Sequence, residues 1–288
     1  MVLGSILLPA SDLPFPFPEP SPRRSEDTLA DILQQRDGAV GTIVFSNPDK
    51  YNALTAQMWR DFPAAIAELD ADPSIRAIVL VGAGEKAFVS GADVSQFGSN
   101  RSDPAAQRSY NAAVEAAYLA PVQVGKPVIA QIRGICMGGG LGLAAACDLR
   151  ICADDARFRM PAGRLGLGYS QTGVHRFVAL VGVQNTYDMF FSARTFDAAE
   201  ALRMGFVSRV VAAAELQDAV RTLASTIAEN APLTATAVKR TVNAYLRDPA
   251  DKHAADAQDA IDRCNTSEDY REGVLAFSEK RKPVFARR

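Results

Sequence analysis

The hydrophobic positions of the chain follow two patterns, short runs of β-branched residues and longer stretches with helical spacing. The runs at 38–47 (GAVGTIVFSN) and 75–84 (IRAIVLVGAG) end in turn formers, which predicts strands buried on both faces. Two further runs, 127–134 (PVIAQIRG) and 149–160 (LRICADDARFRM), each predict a strand. The pattern therefore predicts the order β-α-β, a loop, a glycine-led helix and a second β-α-β.

A helix is predicted between the first two strands. Thr55 can cap its first turn, and apolar side chains recur behind it at helical spacing. Those apolar positions are Met58, Trp59, Phe62, Ile66 and Leu69. Because they form one stripe, we interpret Trp59 and Phe62 as core residues.

The segments outside this core differ in composition. Prolines crowd residues 11–22, which predicts an extended arm over residues 1–30. From about Gly182 the spacing becomes helical. The sequence therefore predicts an α/β core over 31–210 and a C-terminal helical region over 211–288.

Charge and cysteine content narrow the function classes. The 31 basic and 33 acidic residues are mixed along the chain and give a net charge of -2. This distribution offers no basic surface for nucleic acid and no membrane anchor, and it favours small-molecule chemistry. The four cysteines lack the spacing of a metal site or a disulfide framework. Reduced thiols and a cytoplasmic location are predicted.

Two glycine-rich segments each end a strand and open a helix, at 88–97 (FVSGADVSQF) and 134–147 (GICMGGGLGLAAAC). The first N–H groups of a helix have no partner within it and carry positive potential. Two such donors that converge on one oxygen would form an oxyanion hole. Neither segment has the glycine spacing of a dinucleotide-binding turn.

Five segments together resemble the enoyl-CoA hydratase/isomerase (crotonase) family. They are NPDKYNALT, KAFVSGADVSQF, KPVIAQIRGICMGGGLGLAAACDLRICADDARF, TFDAAEALRMGFVSRVV and REGVLAFSEKRKPVF. The resemblance implies a spiral of ββα units with a C-terminal helical trimerisation region, as a homotrimer or a dimer of trimers. It also implies an acyl-CoA thioester substrate, with no metal and no cofactor apart from the CoA of the substrate.

The resemblance carries over onto particular residues. It implies that the N–H groups of Ala92 and Gly139 hold the thioester oxygen. Residues implied to line the CoA site are Lys50, Ala53, Leu54, Ser90, Ala92, Asp93, Val94, Gly138 and Gly139. Phe277 and Lys280 would reach the CoA of a neighbouring subunit. Two of these have other interpretations, Asp93 as a helix cap and Lys280 as a solvated charge.

The chain departs from the family where a hydratase places its two catalytic glutamates. Those positions hold Gly142 and Ala162. Neither side chain can transfer a proton, so hydration by two glutamates is not supported.

Other residues could supply the acid or base. Tyr169 is a candidate proton donor or a wall of the acyl pocket, and His175 is a candidate acid or base or a packed helix residue. In the helix predicted at 104–122, the polar candidates are Tyr110, Glu115 and Tyr118. A buried Glu115 would have a raised pKa suited to proton transfer.

Three hypotheses therefore stand. The first is an enzyme acting on an enoyl-type acyl group with an acid or base from elsewhere. The second is decarboxylation or a double-bond shift, in which enolate stabilisation supplies most of the catalysis. The third is a non-catalytic acyl-CoA binder.

Overall fold

The computed structural model describes residues 30–96, 103–246, 265–281 and 283. The strands are β1 (Asp31–Asp37), β2 (Val40–Ser46), β3 (Ala77–Gly82), β4 (Ala87–Val89), β5 (Val128–Ile132), β6 (Ile135–Met137), β7 (Leu149–Ala153), β8 (Arg157–Arg159), β9 (Thr195–Asp197) and β10 (Arg209–Val211). The α-helices are α1 (Ala56–Ala71), α2 (Pro104–Gln123), α3 (Gly139–Ala146), α4 (Ala162–Leu165), α5 (Gln171–Ser192), α6 (Ala198–Arg203), α7 (Leu216–Glu229), α8 (Pro232–Tyr245) and α9 (Glu268–Ser278). Short 3-10 helices lie at Pro48–Lys50, Val94–Gln96 and Ala213–Glu215.

The strands form two sheets. The larger sheet has the order β1-β2-β3-β5-β7-β10 and is parallel except for the β1–β2 hairpin. The smaller sheet has the order β4-β6-β8-β9, with β8 and β9 antiparallel. Successive parts of the chain alternate between the two sheets, so the turns that join β4 and β6 to their following helices lie side by side.

Helix α1 starts and packs as its sequence pattern predicts. The Thr55 side chain accepts a hydrogen bond from the Met58 N–H at 3.2 Å and caps the first turn. The apolar stripe is buried against α2 and β2, with Trp59 and Phe62 almost completely enclosed. Burial of this face, rather than helix propensity alone, holds α1 in place.

Two features of the chain differ from the prediction. The segment 149–160 is not one strand, because a turn after β7 sends β8 into the other sheet. The edge strand β1 was missed, since its sequence DILQQRD is mostly polar and half exposed. A polar edge strand carries little of the hydrophobic signal by which strands are recognised.

The C-terminal helix α9 folds back onto its own chain. A Cβ at Gly273 would lie 2.4 Å from the Leu165 carbonyl oxygen, and one at Gly166 would lie 2.7 Å from the Asp269 carbonyl oxygen. The backbones of α9 and α4 thus approach as closely as glycine permits. This contact brings the end of α9 to the mouth of a large cavity.

Cys136, Cys147 and Cys152 are buried free thiols, whereas Cys264 lies outside the described residues. Over the part of the chain that the structure describes, none of the helices is long and apolar enough to cross a bilayer. The predicted proline-rich arm at 1–30 lies almost entirely outside the described residues. The predicted boundaries at 30 and 210 stay a prediction.

Candidate active site

A cavity of about 1000 Å³ lies where both glycine-rich turns meet helices α2, α4 and α9. Of the residues implied to line a CoA site, those that line the cavity are Lys50, Ala53, Ser90, Ala92, Asp93, Val94, Gly138, Gly139 and Phe277. The fold therefore brings most of these separated positions to one cavity.

The N–H of Ala92 is directed away from its own backbone partners. Ala92 forms a parallel bridge with Leu54, in which the Leu54 N–H donates to the Gly91 carbonyl at 2.8 Å and the Asp93 N–H donates to the Leu54 carbonyl at 2.8 Å. In a parallel bridge the middle residue points its N–H to the opposite side. That N–H makes no hydrogen bond within the described residues, and Ala92 lines the cavity.

The N–H of Gly139 is the first of helix α3. Gly138 precedes it with φ 50° and ψ -116°, a conformation that favours glycine, and its N–H donates to the Arg159 carbonyl at 2.9 Å. A Cβ at Gly139 would lie 2.8 Å from the Trp59 ring and 3.6 Å from the Ala92 nitrogen. Only glycine fits here, and the two free N–H groups are neighbours, as an oxyanion hole requires.

Lys50 and Asp93 form an ion pair at the cavity wall. The Lys50 Nζ lies 2.9 Å from the Asp93 carboxylate, which also accepts hydrogen bonds from the Ser95 N–H at 3.1 Å and the Ser95 Oγ at 2.6 Å. Burial raises the pKa of Asp93, but Lys50 and Ser95 outweigh burial and hold the pKa below its usual value. Asp93 is therefore ionised at neutral pH and both caps the short helix and ties the two turns together.

The two positions that lack glutamate both border the cavity region. Gly142 lies on the first turn of α3, and Ala162 begins α4 in the cavity wall. A Cβ at Gly142 would lie 2.4 Å from the Tyr169 hydroxyl and 2.7 Å from the Tyr118 hydroxyl. Tyrosine hydroxyls occupy the space that a side chain at Gly142 would need.

The acid–base candidates are unequally placed. Tyr169 lines the cavity, and its hydroxyl lies 3.0 Å from that of Tyr118. Glu115 also lines the cavity but is half-buried, and its Oε1 accepts a hydrogen bond from Thr172 Oγ1 at 2.7 Å. The condition of a buried Glu115 is therefore not met, and its catalytic role stays a prediction.

Two other predicted site residues lie away from the cavity, and two were predicted to reach a neighbouring subunit. His175 lies on the solvent-exposed face of α5 and therefore does not line the cavity. Leu54 is buried, and both its backbone groups are used in the bridge to Ala92's segment. Phe277 lines the cavity of its own chain, since α9 folds back on α4, whereas Lys280 does not line it. The predicted contact of both residues with the CoA of a neighbouring subunit stays a prediction.

Two lining residues were missed or misjudged from the sequence. Trp59, interpreted as core alone, is both buried and part of the cavity wall beside Gly139. Arg281 lines the mouth and pairs with Glu272 at 2.6 Å. An arginine in the surface-like run EKRK carries no local signal of such a position.

Comparison with known proteins identifies the family. A sequence model of the enoyl-CoA hydratase/isomerase family matches residues 35–288, and the chain belongs to this family. It is 32% identical over 254 residues to a short-chain-enoyl-CoA hydratase of Clostridium acetobutylicum, with 88% of this chain and 97% of the relative covered. It is 34% identical over 279 residues to a peroxisomal Delta(3,5)-Delta(2,4)-dienoyl-CoA isomerase of Arabidopsis thaliana, with 91% and 98% covered.

One similar solved structure is named for an activity other than hydration or isomerisation. The structure of a methylmalonyl-CoA decarboxylase in complex with 2-nitronate-propionyl-CoA has a TM-score of 0.81 and 29% identity, with 89% of this chain and 98% of that chain covered. The predicted fold class is confirmed: the chain has the crotonase-type α/β fold with C-terminal helices. The chain is an acyl-CoA enzyme of the hydratase/isomerase type.

Proposed function

We propose that this enzyme stabilises the enolate of an acyl-CoA thioester in an oxyanion hole made by the N–H groups of Ala92 and Gly139. The observation that carries the proposal is that both residues line one cavity, lie beside each other and have N–H groups that make no hydrogen bond within the described residues. A thioester enolate concentrates negative charge on its oxygen. Two donors already in place therefore stabilise the transition state more than the substrate.

The same cavity would hold the CoA part of the substrate. Lys50, Ser90, Asp93 and Val94 line its wall on one side, and Phe277 of α9 lines it on another. The half-exposed Lys50 offers positive charge to the phosphates of CoA even while it pairs with Asp93. No separate cofactor is needed for enolate chemistry on a thioester.

The absence of both glutamates restricts the reactions that we propose for this cavity. Hydration by two glutamates has no support at Gly142 or Ala162, although relatives of this chain carry the names of hydratases. The second candidate is therefore decarboxylation or a double-bond shift. It is favoured by the intact oxyanion hole with no carboxylate at either position, and by the neighbour named methylmalonyl-CoA decarboxylase.

The first experiment is hydration of crotonyl-CoA by the purified protein, followed by the absorbance of the conjugated thioester with a boiled control. We expect crotonyl-CoA to bind in calorimetry without robust hydration, because neither glutamate is present. Rapid hydration would contradict this view of the site and would direct attention to Glu115. Failure of all acyl-CoA esters to bind would contradict the proposed function as a whole.

The oxyanion hole has its own test on an acyl-CoA that the protein converts. Ala92→Pro removes one N–H, and we expect kcat to fall about 100-fold to 1000-fold, as is typical for loss of one such donor. Ala92→Gly keeps the N–H and should lose far less. Equal rates for the two variants, with both melting normally, would exclude Ala92 as a donor.

A further inference from the structure

Two tyrosines from distant parts of the chain meet inside the cavity. Tyr118 comes from α2 and Tyr169 from the loop before α5, and their hydroxyl oxygens are 3.0 Å apart. The rings are nearly parallel, with centroids 6.2 Å apart and an interplanar angle of 27°. Tyr118 is held from behind by Trp59, whose ring meets it edge-on at 5.8 Å. The pair is therefore a rigid feature with two polar atoms facing each other.

The hydroxyl pair lies next to the oxyanion hole. Its oxygens stand at the place where a side chain from Gly142 would begin. Gly142 follows the donor Gly139 by three residues on α3, roughly 4.5 Å along the helix axis. The position is the one at which the family resemblance implies a glutamate. A pair of phenols thus takes the place of a carboxylate beside the developing enolate.

We propose that Tyr169 is a catalytic residue that donates a proton to the α-carbon of the thioester enolate, that Tyr118 is the positioning residue that supports it, and that the substrate is a 2-carboxyacyl-CoA. The proposal rests on the proposed enolate function of the same cavity. Tyr169 is the donor because it is the more exposed of the two, whereas Tyr118 is buried between Trp59 and Tyr169.

The chemistry balances without another reactant. The bond between the α-carbon and the carboxylate breaks, carbon dioxide leaves, and the electron pair of that bond enters the enolate, whose oxygen the N–H groups of Ala92 and Gly139 hold. The α-carbon then takes the proton of the Tyr169 hydroxyl. The resulting phenolate accepts a hydrogen bond from the Tyr118 hydroxyl and regains a proton from water.

The choice of substrate follows from what the cavity can do with protons. Burial raises the pKa of both phenols above the ordinary value of about 10, so at neutral pH they donate protons and do not accept them. Among the described residues that line the cavity, the carboxylates are Asp93, paired with Lys50, and Glu115, bonded to Thr172. A double-bond shift needs a base to form the enolate, whereas loss of a carboxylate forms it without one.

The test uses the full-length protein with methylmalonyl-CoA in deuterated buffer. We expect release of carbon dioxide and propionyl-CoA that carries one deuterium on a single face of the α-carbon. Tyr169→Phe should lower the rate about 100-fold, which is a typical contribution of a general acid. The remaining product should be a mixture of molecules that carry the deuterium on one face or on the other. Tyr187→Phe removes an exposed phenolic hydroxyl outside the cavity and should match the wild type.

A second variant keeps the proposal testable if Tyr169→Phe fails to fold. Tyr118→Phe retains the donor but removes the hydrogen bond to its phenolate. We expect a rate lower by about 10-fold to 100-fold with the single-face label retained, because the lost hydrogen bond stabilises the charged phenolate. If Tyr118→Phe behaves like the wild type, Tyr118 does not support the phenolate. If Tyr169→Phe keeps the wild-type rate and labelling, Tyr169 is not the proton donor.

The outcomes also separate this inference from the proposed function. If methylmalonyl-CoA, malonyl-CoA and ethylmalonyl-CoA bind in calorimetry but none loses carbon dioxide, the oxyanion site can stand and the 2-carboxyacyl substrate is wrong. If none of these esters and no other acyl-CoA binds, the proposed function itself is wrong. If the wild type decarboxylates these esters and Tyr169→Phe does so at the same rate, the proposed substrate class is right. The tyrosines then only form part of the pocket wall.

Discussion

Gly142 shows how the size of one side chain shapes the chemistry of this cavity. Its missing Cβ leaves space for the hydroxyls of Tyr118 and Tyr169, which would lie 2.7 and 2.4 Å from that atom. A residue with a side chain at this position and the tyrosine pair therefore exclude each other. The absence of glutamate at position 142 and the presence of the tyrosine pair therefore belong to the same packing arrangement.

Gly142→Ala tests this packing. The added methyl must push the two rings aside, so we expect a loss of unfolding free energy of about 1–3 kcal/mol and a fall in turnover. Chemical denaturation and the rate on a converted acyl-CoA measure the two effects. Gly125→Ala is the matched control, because its methyl would meet Thr236 at an ordinary 3.4 Å. Equal stability of the two variants would show that the rings do not fill this space.

At the scale of elements, the site depends on how two turns are joined. The turn around Lys50 and the segment that carries Ala92 are held by the Leu54 bridge and by the ion pair of Lys50 with Asp93. Asn52 adds to this joint, because its side-chain amide donates to the carbonyls of Ala83 at 2.9 Å and Ala87 at 2.8 Å. The direction of the Ala92 N–H is thus set by contacts outside its own segment.

The ion pair makes a prediction about pH. The pKa of Asp93 is lowered in the folded protein, so its contribution to stability is present above the unfolded pKa and is lost as pH falls through the folded pKa. The unfolded value is about 3.9. Asp93→Asn should therefore be less stable than the wild type at pH 7, and the difference should shrink below about pH 4.

Urea denaturation at several pH values measures this dependence. Asp37→Asn, which changes an exposed carboxylate at the end of β1, is the control and should differ little from the wild type throughout. A difference between Asp93→Asn and the wild type that stays constant from pH 7 to pH 3 would contradict the stabilising ion pair.

At the scale of the whole molecule, the C-terminal region exposes apolar side chains. Leu233, Val238 and Val242 of α8 are all solvent-exposed in the single chain. Exposed apolar residues grouped on one helix favour an interface with another protein surface. Together with the family resemblance, this supports the prediction of a homotrimer or a dimer of trimers.

Light scattering checks the assembly. The mass should be three or six times the 30.8 kDa of one chain. Val238→Glu should lower that mass at micromolar concentration, because a charge in an apolar contact is costly. Thr226→Glu adds the same charge at an exposed polar position of α7 and should leave the mass unchanged. A monomeric wild type would contradict the predicted assembly.

Much of the fold could be predicted from local pattern. The buried strands β2, β3 and β5, the cap at Thr55 and the glycine-led α3 all follow from residues adjacent in the chain. The split of 149–160 into two strands could not, because only the tertiary pairing places the two pieces in separate sheets. The edge strand β1 was missed because most of its side chains are polar and exposed.

What the sequence by itself determined is the set of groups that neighbouring residues can specify. These are the two glycine-rich turns that each end a strand and open a helix. The family resemblance added the positions of Ala92 and Gly139 and the absence of both glutamates. Only the tertiary structure decided which distant side chains meet. Tyr118 and Tyr169, 51 residues apart, come into contact while His175 faces outward. Helix and turn formation depend on local backbone conformation, whereas contacts between distant side chains depend on how whole elements pack.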